Sequence, residues 1–283
     1  MTSLPPPLFC GTELAARLER AESALIADGA AAAARRRPGS GVFVQPLAGG
    51  RACYGGAGSP LNKVAGLGFA GRLDEDELAT LERRYAERGE AVRVELASLG
   101  EPGIATQLTR RGYQLTGFED VLGLALSPAR PAVLAAGIEV VECGPGDFAH
   151  WLDVVVDGFA HPDLQGVASD EEFPRDVMAS AIGDLAATEG FRRYLARRAG
   201  VVAGGASCRF ADGVAQLCGA ATLPAHRRHG VQSSLLAHRL AAAAAAGCDL
   251  AVVTTQPGSK SQQNVQRQGF SLLYTRAVLV RET

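Results

Sequence analysis

Apolar residues recur along the chain first at helical spacing and then in short alternating runs, and this succession occurs twice. In the first half, Leu14, Leu18 and Leu25 mark one face of an amphipathic helix that either ends at Asp28-Gly29 or continues to about Arg36. The remaining elements predicted for this half are strands at 41–47, 51–56 and 63–69, a helix at 73–89, a strand at 91–97, a short helix to Arg111 and a strand pair through Leu126.

The second half repeats the pattern after a proline-bearing connector at 127–137. The elements predicted there are a strand at 138–143, a helix to about Phe159, a helix at about 175–187, three antiparallel strands joined by turns at Ala199-Gly200 and Asp212-Gly213, a long helix from Gly230, a strand at 250–255, a short helix at about 260–267 and closing strands. We therefore expect two domains, at 1–130 and 137–283.

An internal repeat supports this division. The segment "RRGYQLTGFEDVL" aligns with "RQGFSLLYTRAVL" at a constant offset, so that Gly112 corresponds to Gly269 and Val121 to Val278. The alternative is chance similarity between two junctions of a helix, a glycine and a strand. The repeat predicts that the two halves share one fold.

Composition and charge narrow the class of protein. With 283 residues, 47% hydrophobic and 20% charged, the chain has the composition of a soluble globular protein, and a net charge of −2 argues against general nucleic-acid binding. Six scattered cysteines lack metal-site spacing, which favours reduced thiols in the cytoplasm. The N-terminus does not resemble a signal peptide, and the alanine runs are too short to span a bilayer. We expect a cytoplasmic protein without a metal, nucleic-acid or membrane partner.

The start of the long helix is the candidate binding site. A glycine turn at Gly230 that opens onto a helix N-terminus leaves backbone N–H groups unpaired at the positive end of the helix dipole, where phosphate binds. Between Gly213 and Arg281 the only acidic residue is Asp249. The basic residues of that stretch are Arg227, Arg228, Arg239, Lys260, Arg267, Arg276 and Arg281. The pattern predicts a polyphosphate ligand.

The corresponding helix start in the first half has the opposite charge. Asp74 is a predicted N-cap and Glu77 completes a capping box, with Glu75 and Asp76 between them. Four carboxylates stabilise a helix N-terminus but repel phosphates. We therefore expect only the C-terminal half to bind the polyphosphate, while the first half is a scaffold or a lid over an acceptor pocket.

The segment "LPAHRRHGVQSSLL" resembles the acetyl-coenzyme A signature of the GNAT N-acetyltransferases, Arg/Gln-x-x-Gly-x-Gly/Ala. Arg227 and Gly230 occupy the first two positions, and Gln232 departs from the third. The segment "GSKSQQNVQRQGFSLLYTRAVLV" is similar to the family's next unit, a short helix ending in Gly-Phe and then two strands. The resemblance implies an α+β fold with two GNAT-like domains, the first degenerate, each a mostly antiparallel central sheet flanked by helices.

The resemblance also implies acetyl-coenzyme A as the acyl donor. The strand before Pro224 would splay from its neighbour and bind the pantetheine arm, and the amides of 228–233 would surround the pyrophosphate. The residues that the resemblance assigns to this ligand are Ala221, Thr222, Leu223, Arg227, Arg228, His229, Gly230, Val231, Gln232, Ser233, Asn264 and Arg267. The alternatives are a solvated basic face for Arg227 and Arg228, a helix cap for Ser233 and an ordinary exposed side chain for Asn264.

The signature segments do not contain the usual catalytic acid or a carboxylate base. Many family members carry a tyrosine four residues before the Gly-Phe, where this chain has Val265. Tyr274 is a substitute acid, with a buried aromatic as the alternative. The segment 213–222 has no carboxylate, so a base would come from the loop that carries Asp157, His161 and Asp163. His161 is the candidate because an imidazole suits proton transfer near neutral pH, and a structural loop is the alternative.

Two functions follow from these residues. The first is an acetyl-coenzyme A-dependent N-acetyltransferase, active in the second domain, that transfers the acetyl group directly to a small-molecule amine. The second is a non-catalytic GNAT-fold module that binds coenzyme A or a partner. A detoxifying or antibiotic-modifying enzyme would need an acidic acceptor pocket, for which 163–173 is a candidate lip. The sequence identifies neither the acceptor nor the oligomeric state, for which a homodimer is one option.

Overall fold

Neither of the two compact units of this chain is one continuous segment. The computed structural model describes residues 7–127, 131–161, 165–167 and 172–282. The N-terminal unit contains the described parts of Phe9–Val121, Ala168–Thr188 and Leu272–Thr283. The C-terminal unit contains those of Met1–Leu8, Leu122–Val167 and Glu189–Ser271.

The N-terminal unit is a sheet with helices packed on it. Its helices are α1 (Thr12–Arg36), α2 (Glu75–Ala86), α3 (Pro102–Arg110) and α5 (Arg175–Ala186), the last numbered in chain order after α4 of the other unit. Its strands are β1 (Phe43–Leu47), β2 (Gly50–Tyr54), β3 (Lys63–Ala65), β4 (Val92–Ala97), most of β5 (Gln114–Ala125) and β12 (Ser271–Arg281). The sheet order is β1-β2-β3-β4-β12-β5, with β3 and β4 parallel and the pairs β1–β2, β2–β3 and β4–β12 antiparallel.

The first helix follows the longer of its two predicted courses, and the reason is tertiary. Gly29 does not end α1, although glycine is a poor helix former. A Cβ atom at Gly29 would lie 2.8 Å from Leu185 Cδ2, so the glycine permits close approach of α5. At the end of α1, Arg36 and Arg37 both donate to the buried carboxylate of Asp184 at 2.6 Å. Helix α5 is thus held against α1 by packing and by charge.

The C-terminal unit has the same kind of architecture. Its helices are α4 (Phe148–Phe159), α6 (Val231–Ala245) and α7 (Lys260–Arg267), with 3-10 turns at Pro145–Asp147 and Pro224–His226. Its strands are β6 (Ile138–Glu142), β7 (Phe191–Arg198), β8 (Val201–Ala211), β9 (Val214–Gln216), β10 (Ala220–Thr222) and β11 (Leu250–Thr255). The sheet order is β6-β7-β8-β9-β11, in which only β9–β11 is parallel, and β10 pairs with β8.

The two predicted hairpin turns are confirmed. Ala199 and Gly200 have φ of 50° and 79°, and Asp212 and Gly213 have φ of 50° and 75°. Two consecutive residues with positive φ define the turn whose twist matches that of an antiparallel strand pair. These turns join β7 to β8 and β8 to β9, so the three antiparallel strands lie where the sequence placed them.

The predicted repeat is visible in the topology. Helix α2 connects the parallel strands β3 and β4, and helix α6 lies between the parallel strands β9 and β11. Gly112 after α3 and Gly269 after α7 have φ of 87° and 96°, and each precedes one long strand. Two expectations are corrected here: the strand pair predicted before Leu126 is the single strand β5, and the closing strands are the single strand β12.

The compact units do not follow a linear boundary: the described parts of Met1–Leu8 and of residues 122–130 group with the C-terminal unit, and two segments of the second half group with the N-terminal unit. Helix α5 and strand β12 come from the second half of the sequence but belong to the N-terminal unit. The C-terminal half of β12 pairs with β4, from Arg276 opposite Ala97 to Arg281 opposite Val92. Backbone pairing does not depend on side-chain identity, so the sequence pattern could not show which sheet β12 joins.

Candidate functional site

The predicted divergence of two strands is present in the C-terminal unit. Strand β9 runs parallel to β11 as far as Gln216, and the N–H of Leu217 donates to the carbonyl of Val252 at 2.8 Å. The backbone then turns through Gly219 at a φ of 39°. Its continuation β10 pairs with β8, so β10 and the last residues of β11 have no strand pairing with each other in the described part of the chain.

The turn after β10 leads to a helix end with unpaired donors. Arg228 and Gly230 have φ of 63° and 79°. Helix α6 has no side-chain cap, and its first internal bond runs from the N–H of Ser234 to the carbonyl of Gly230 at 2.9 Å. Among the described residues no group accepts a hydrogen bond from the N–H groups of 228–233. These groups lie at the positive end of the helix dipole, which suits an anion.

Packing fixes the position of this turn. A Cβ atom at Gly230 would lie 2.5 Å from the Cβ of Ala135, in addition to the strain of the positive φ. Next to this contact, the buried hydroxyl of Ser234 accepts a hydrogen bond from the N–H of Ala135 at 2.9 Å. Ser234 is therefore a structural residue and neither caps α6 nor faces the turn. The segment before β6, which sequence reasoning had treated only as a connector, holds the turn in place.

Buried polar atoms beside the diverging strands fit an amide-bearing chain such as pantetheine. The hydroxyl of Thr222 in β10 and that of Thr255 at the end of β11 are buried and have no hydrogen-bond partner within the described residues. Nδ1 of His226 in the following 3-10 turn is in the same state. Buried polar groups are normally paired. The residues present therefore suit a ligand that carries both amides and a diphosphate.

Arg227 is engaged by the protein itself. Its Nη2 donates to the carbonyl of His161, and its Nε donates to the carbonyl of Thr222 at 3.4 Å. This side chain therefore joins the end of α4 to the end of β10. A second contact holds α4 there, because a Cβ atom at Gly158 would lie 2.2 Å from the Cβ of Ala221. Neither contact has a signal in the sequence apart from the glycine.

The residue that departs from the family signature has a specific partner. Oε1 of Gln232 accepts a hydrogen bond of 2.6 Å from Nδ2 of Asn264, and both side chains are half-buried. Asn264 therefore reaches α6, where its amide is bonded to Gln232. Arg228, His229, Ser233 and Arg267 are exposed. Ala221 and Val231 are buried, and Leu223 donates its N–H to the carbonyl of Ala203 at 3.0 Å.

Two of the arginines that suggested a polyphosphate site have other roles. Arg239 is buried in α6, where its Nη1 donates to the carbonyl of Ser207 at 2.9 Å, and burial lowers its pKa. Arg276 is buried in the N-terminal unit, where its Nε donates to Glu19 at 2.7 Å. The expectation that both contribute to the positive field of the site is corrected, because each is enclosed by groups that bind it.

The candidate acid and base have different surroundings. Tyr274 belongs to the N-terminal unit, where its hydroxyl is buried and donates to Glu19 at 2.8 Å. Burial raises its pKa, and Glu19 adds to that rise, so this phenol is a structural hydrogen-bond donor. His161 is exposed at the end of α4, and its Nδ1 lies 2.9 Å from the carbonyl of Asp157. Asp163 and most of the proposed acidic lip lie outside the described residues.

The position where many family members carry a tyrosine is apolar and buried in this chain. Val265 in α7 is 4% exposed and packs in the core of the C-terminal unit. Cys218, between β9 and β10, directs its Sγ to the carbonyl of Gln216 at 3.4 Å. No cysteine of the chain forms a disulfide, and in the part of the chain that the structure describes no group of three or more His, Cys, Asp or Glu residues is arranged to hold a metal ion.

In the N-terminal unit the corresponding helix start is capped, and the segments that follow the parallel strands are joined by a hydrogen bond. The side chain of Asp74 accepts from the N–H groups of Asp76 and Glu77 at 2.9 and 3.0 Å, which confirms the predicted N-cap of α2. After the parallel strands β3 and β4, the N–H of Glu101 donates to the carbonyl of Gly68 at 3.0 Å. The two segments that diverge in the C-terminal unit are therefore joined here. Sequence reasoning had found the carboxylates but not this closure.

No helix within the described residues combines the length and the apolar character needed to cross a bilayer. Comparison with known proteins shows which family part of the chain resembles. Residues 159–270 match the model of the acetyltransferase (GNAT) family. No curated protein sequence matches the chain significantly.

Solved structures are similar over nearly the whole chain. A GCN5-related N-acetyltransferase from Kribbella flavida is 17% identical with a TM-score of 0.63, covering 91% of this chain and 94% of that one. A tandem GNAT protein from the clavulanic acid biosynthesis pathway is 15% identical with a TM-score of 0.59, covering 98% and 97%. A GCN5-related N-acetyltransferase from Sphaerobacter thermophilus is 15% identical with a TM-score of 0.56, covering 72% and 66%.

Proposed function

Since residues 159–270 match the GNAT family and the chain has a tandem GNAT fold, we propose that the protein is an acetyl-coenzyme A-dependent N-acetyltransferase whose active site lies in the C-terminal unit. The observation that carries the proposal is the contrast between the equivalent helix ends. The N-terminus of α6 has free N–H groups beside diverging strands, whereas that of α2 is capped by Asp74 beside segments that are joined.

In this proposal the backbone of the C-terminal unit does most of the binding. The N–H groups of 228–233 bind the diphosphate, and β10 with the hydroxyls of Thr222 and Thr255 binds the pantetheine amides. A backbone N–H in β10 is then in position to stabilise the oxyanion that forms at the thioester carbonyl. The exposed residues Arg228 and Arg267 supply positive charge around the phosphates, and His229, next to Arg228 in the turn, is exposed as well.

The reaction is direct transfer to an amine. The neutral nitrogen attacks the thioester carbonyl, the new C–N bond forms, the C–S bond breaks and coenzyme A leaves as the thiolate. The proton lost by nitrogen passes to His161 or to water. In this mechanism no protein thiol takes part, and the Sγ of Cys218 is directed to the carbonyl of Gln216. A small-molecule amine is the proposed acceptor.

Calorimetry with acetyl-coenzyme A tests the binding step. We expect saturable binding by the natural chain and at least a tenfold loss in Gly230→Asp, which places a carboxylate against the diphosphate. Gly247→Asp is the matched control, since Gly247 lies beyond the other end of α6, has a φ of 83° and has no atom within 4 Å of an added Cβ. Equal affinity of Gly230→Asp and the natural chain would disprove the assignment of the site.

Release of free thiol with a panel of small amines tests catalysis. We expect release with at least one amine and a lower rate in Gly230→Asp at subsaturating donor. A specific observation keeps the non-catalytic module as a second candidate: Val265 is buried where family members carry the acid, and β9 and β10 have no carboxylate. Binding of acetyl-coenzyme A without thiol release for any amine would favour that module.

A further inference from the structure

The hydrogen bond between Gln232 and Asn264 joins the two helices that follow the diverging strands. Strand β10 continues through the turn into α6, and strand β11 continues into α7. Gln232 lies in the first turn of α6, and Asn264 lies in the middle of α7. The carboxyl ends of parallel strands are where open sheets bind ligands. The bond of 2.6 Å therefore spans that edge of the C-terminal unit.

Gln232 lies among the backbone N–H groups at the start of α6, where the diphosphate of the proposed ligand would bind. Its own N–H is one of the unpaired donors at the start of α6, and those of Val231 and Ser233 flank it. The family signature has glycine or alanine at this position, and neither side chain reaches α7. The longer side chain of Gln232 places its amide oxygen within hydrogen-bond distance of Asn264 in α7, which donates to it. A diphosphate that approaches the N–H groups of this turn meets that pair of amides.

We propose that Gln232 and Asn264 form a latch across the mouth of the cofactor site, which coenzyme A must open to bind. This inference rests on the proposed function and extends it, because it names the side chains that control entry of the nucleotide. Both amides are half-buried, so water can solvate either one when the latch opens. The latch therefore slows entry and weakens affinity by the strength of about one hydrogen bond.

Removing either side-chain amide should make coenzyme A bind modestly more tightly. Loss of one net hydrogen bond from the free protein corresponds to about two- to tenfold tighter binding of coenzyme A. Gln232→Ala and Asn264→Ala should each give this gain, mainly as faster association. The double variant should show no further gain, because either single change already breaks the same bond.

Stopped-flow binding and calorimetry with coenzyme A make the measurement. The matched control is Gln263→Ala, since Gln263 lies beside Asn264 in α7 and accepts a hydrogen bond from Lys260 at 2.8 Å. This control should bind like the natural chain. A gain in both single variants that does not add in the double variant would support the latch.

Three results would overturn the proposal, and they can be told apart. Equal rates and affinities in all variants would refute the latch alone. Weaker binding in Gln232→Ala and Asn264→Ala would show that the amides are ligands for coenzyme A and do not obstruct it. No binding by any variant, the natural chain included, would refute the proposed function together with the latch.

Discussion

Replacing Glu119 by glutamine should stabilise the protein at alkaline pH but not at acidic pH. Glu119 lies on β5 with its side chain 18% exposed, and its Oε2 is 3.7 Å from Nη1 of Arg276. Burial raises its pKa to about 7; Glu95 and Glu22 add to the rise, and Lys63 and Arg276 oppose it. Glutamine is neutral at every pH and therefore mimics the protonated carboxyl.

The sign and size follow from proton linkage. A carboxyl whose pKa rises on folding contributes stability that is fully present below its ordinary pKa of 4.5 and is lost as the pH rises through 7. The difference between the two pKa values corresponds to about 3 kcal/mol. We expect the free energy of unfolding of Glu119→Gln to exceed that of the natural chain by less than about 1 kcal/mol near pH 5 and by up to about 3 kcal/mol at pH 8.

Urea denaturation at pH 5, 6, 7 and 8 measures this difference. Glu139→Gln is the control, because Glu139 is an exposed carboxylate on β6 and its replacement should give a small effect without this pH dependence. A difference for Glu119→Gln that is constant from pH 5 to pH 8, or a less stable variant at pH 8, would refute the reasoning.

Three further predictions concern the helix ends and the buried phenol. Gly230→Ala should lower the free energy of unfolding by about 2 kcal/mol or more and weaken coenzyme A binding, whereas Gly247→Ala, also at positive φ but without a clash, should lose only about 1–2 kcal/mol. Asp74→Ala removes the N-cap of α2, so the free energy of unfolding should fall by about 1 kcal/mol, while coenzyme A affinity in calorimetry should not change. Tyr274→Phe removes the hydrogen bond to Glu19, so the free energy of unfolding should fall by about 1–3 kcal/mol. An altered pH profile of turnover in this variant would contradict a structural role for Tyr274.

Much of the candidate site could be predicted from local sequence. Gly230 stands at a helix start with positive φ, and the helix at Val231–Ala245 follows from the spacing of its apolar residues. The short helix at Lys260–Arg267 lies where the family resemblance places it. The predicted N-cap Asp74 is present at the start of α2, whereas the start of α6 has no side-chain cap. These features depend on residues within a few positions of each other, and so they are visible in one dimension.

The roles of the charged side chains could not be predicted in this way. The local excess of arginine suggested one field around a phosphate, but Arg239 donates to the carbonyl of Ser207 in β8. Arg276 belongs to the N-terminal unit and is enclosed by carboxylates of that same unit. Arg227 was expected at the nucleotide and donates to the carbonyl of His161. A long flexible side chain reaches partners that are distant in sequence, so its neighbours along the chain do not identify them.

Local residue patterns were enough to predict the repeated order of strands and helices, the two hairpin turns and a helix start at Gly230, because backbone conformation depends strongly on local residue type. Long-range contacts determine four other features: α1 continues through Gly29, β12 pairs with β4, Glu101 donates a hydrogen bond to Gly68, and Asn264 donates one to Gln232. Each of these depends on two segments far apart in the chain coming within contact distance, and a local pattern does not encode which segments those are.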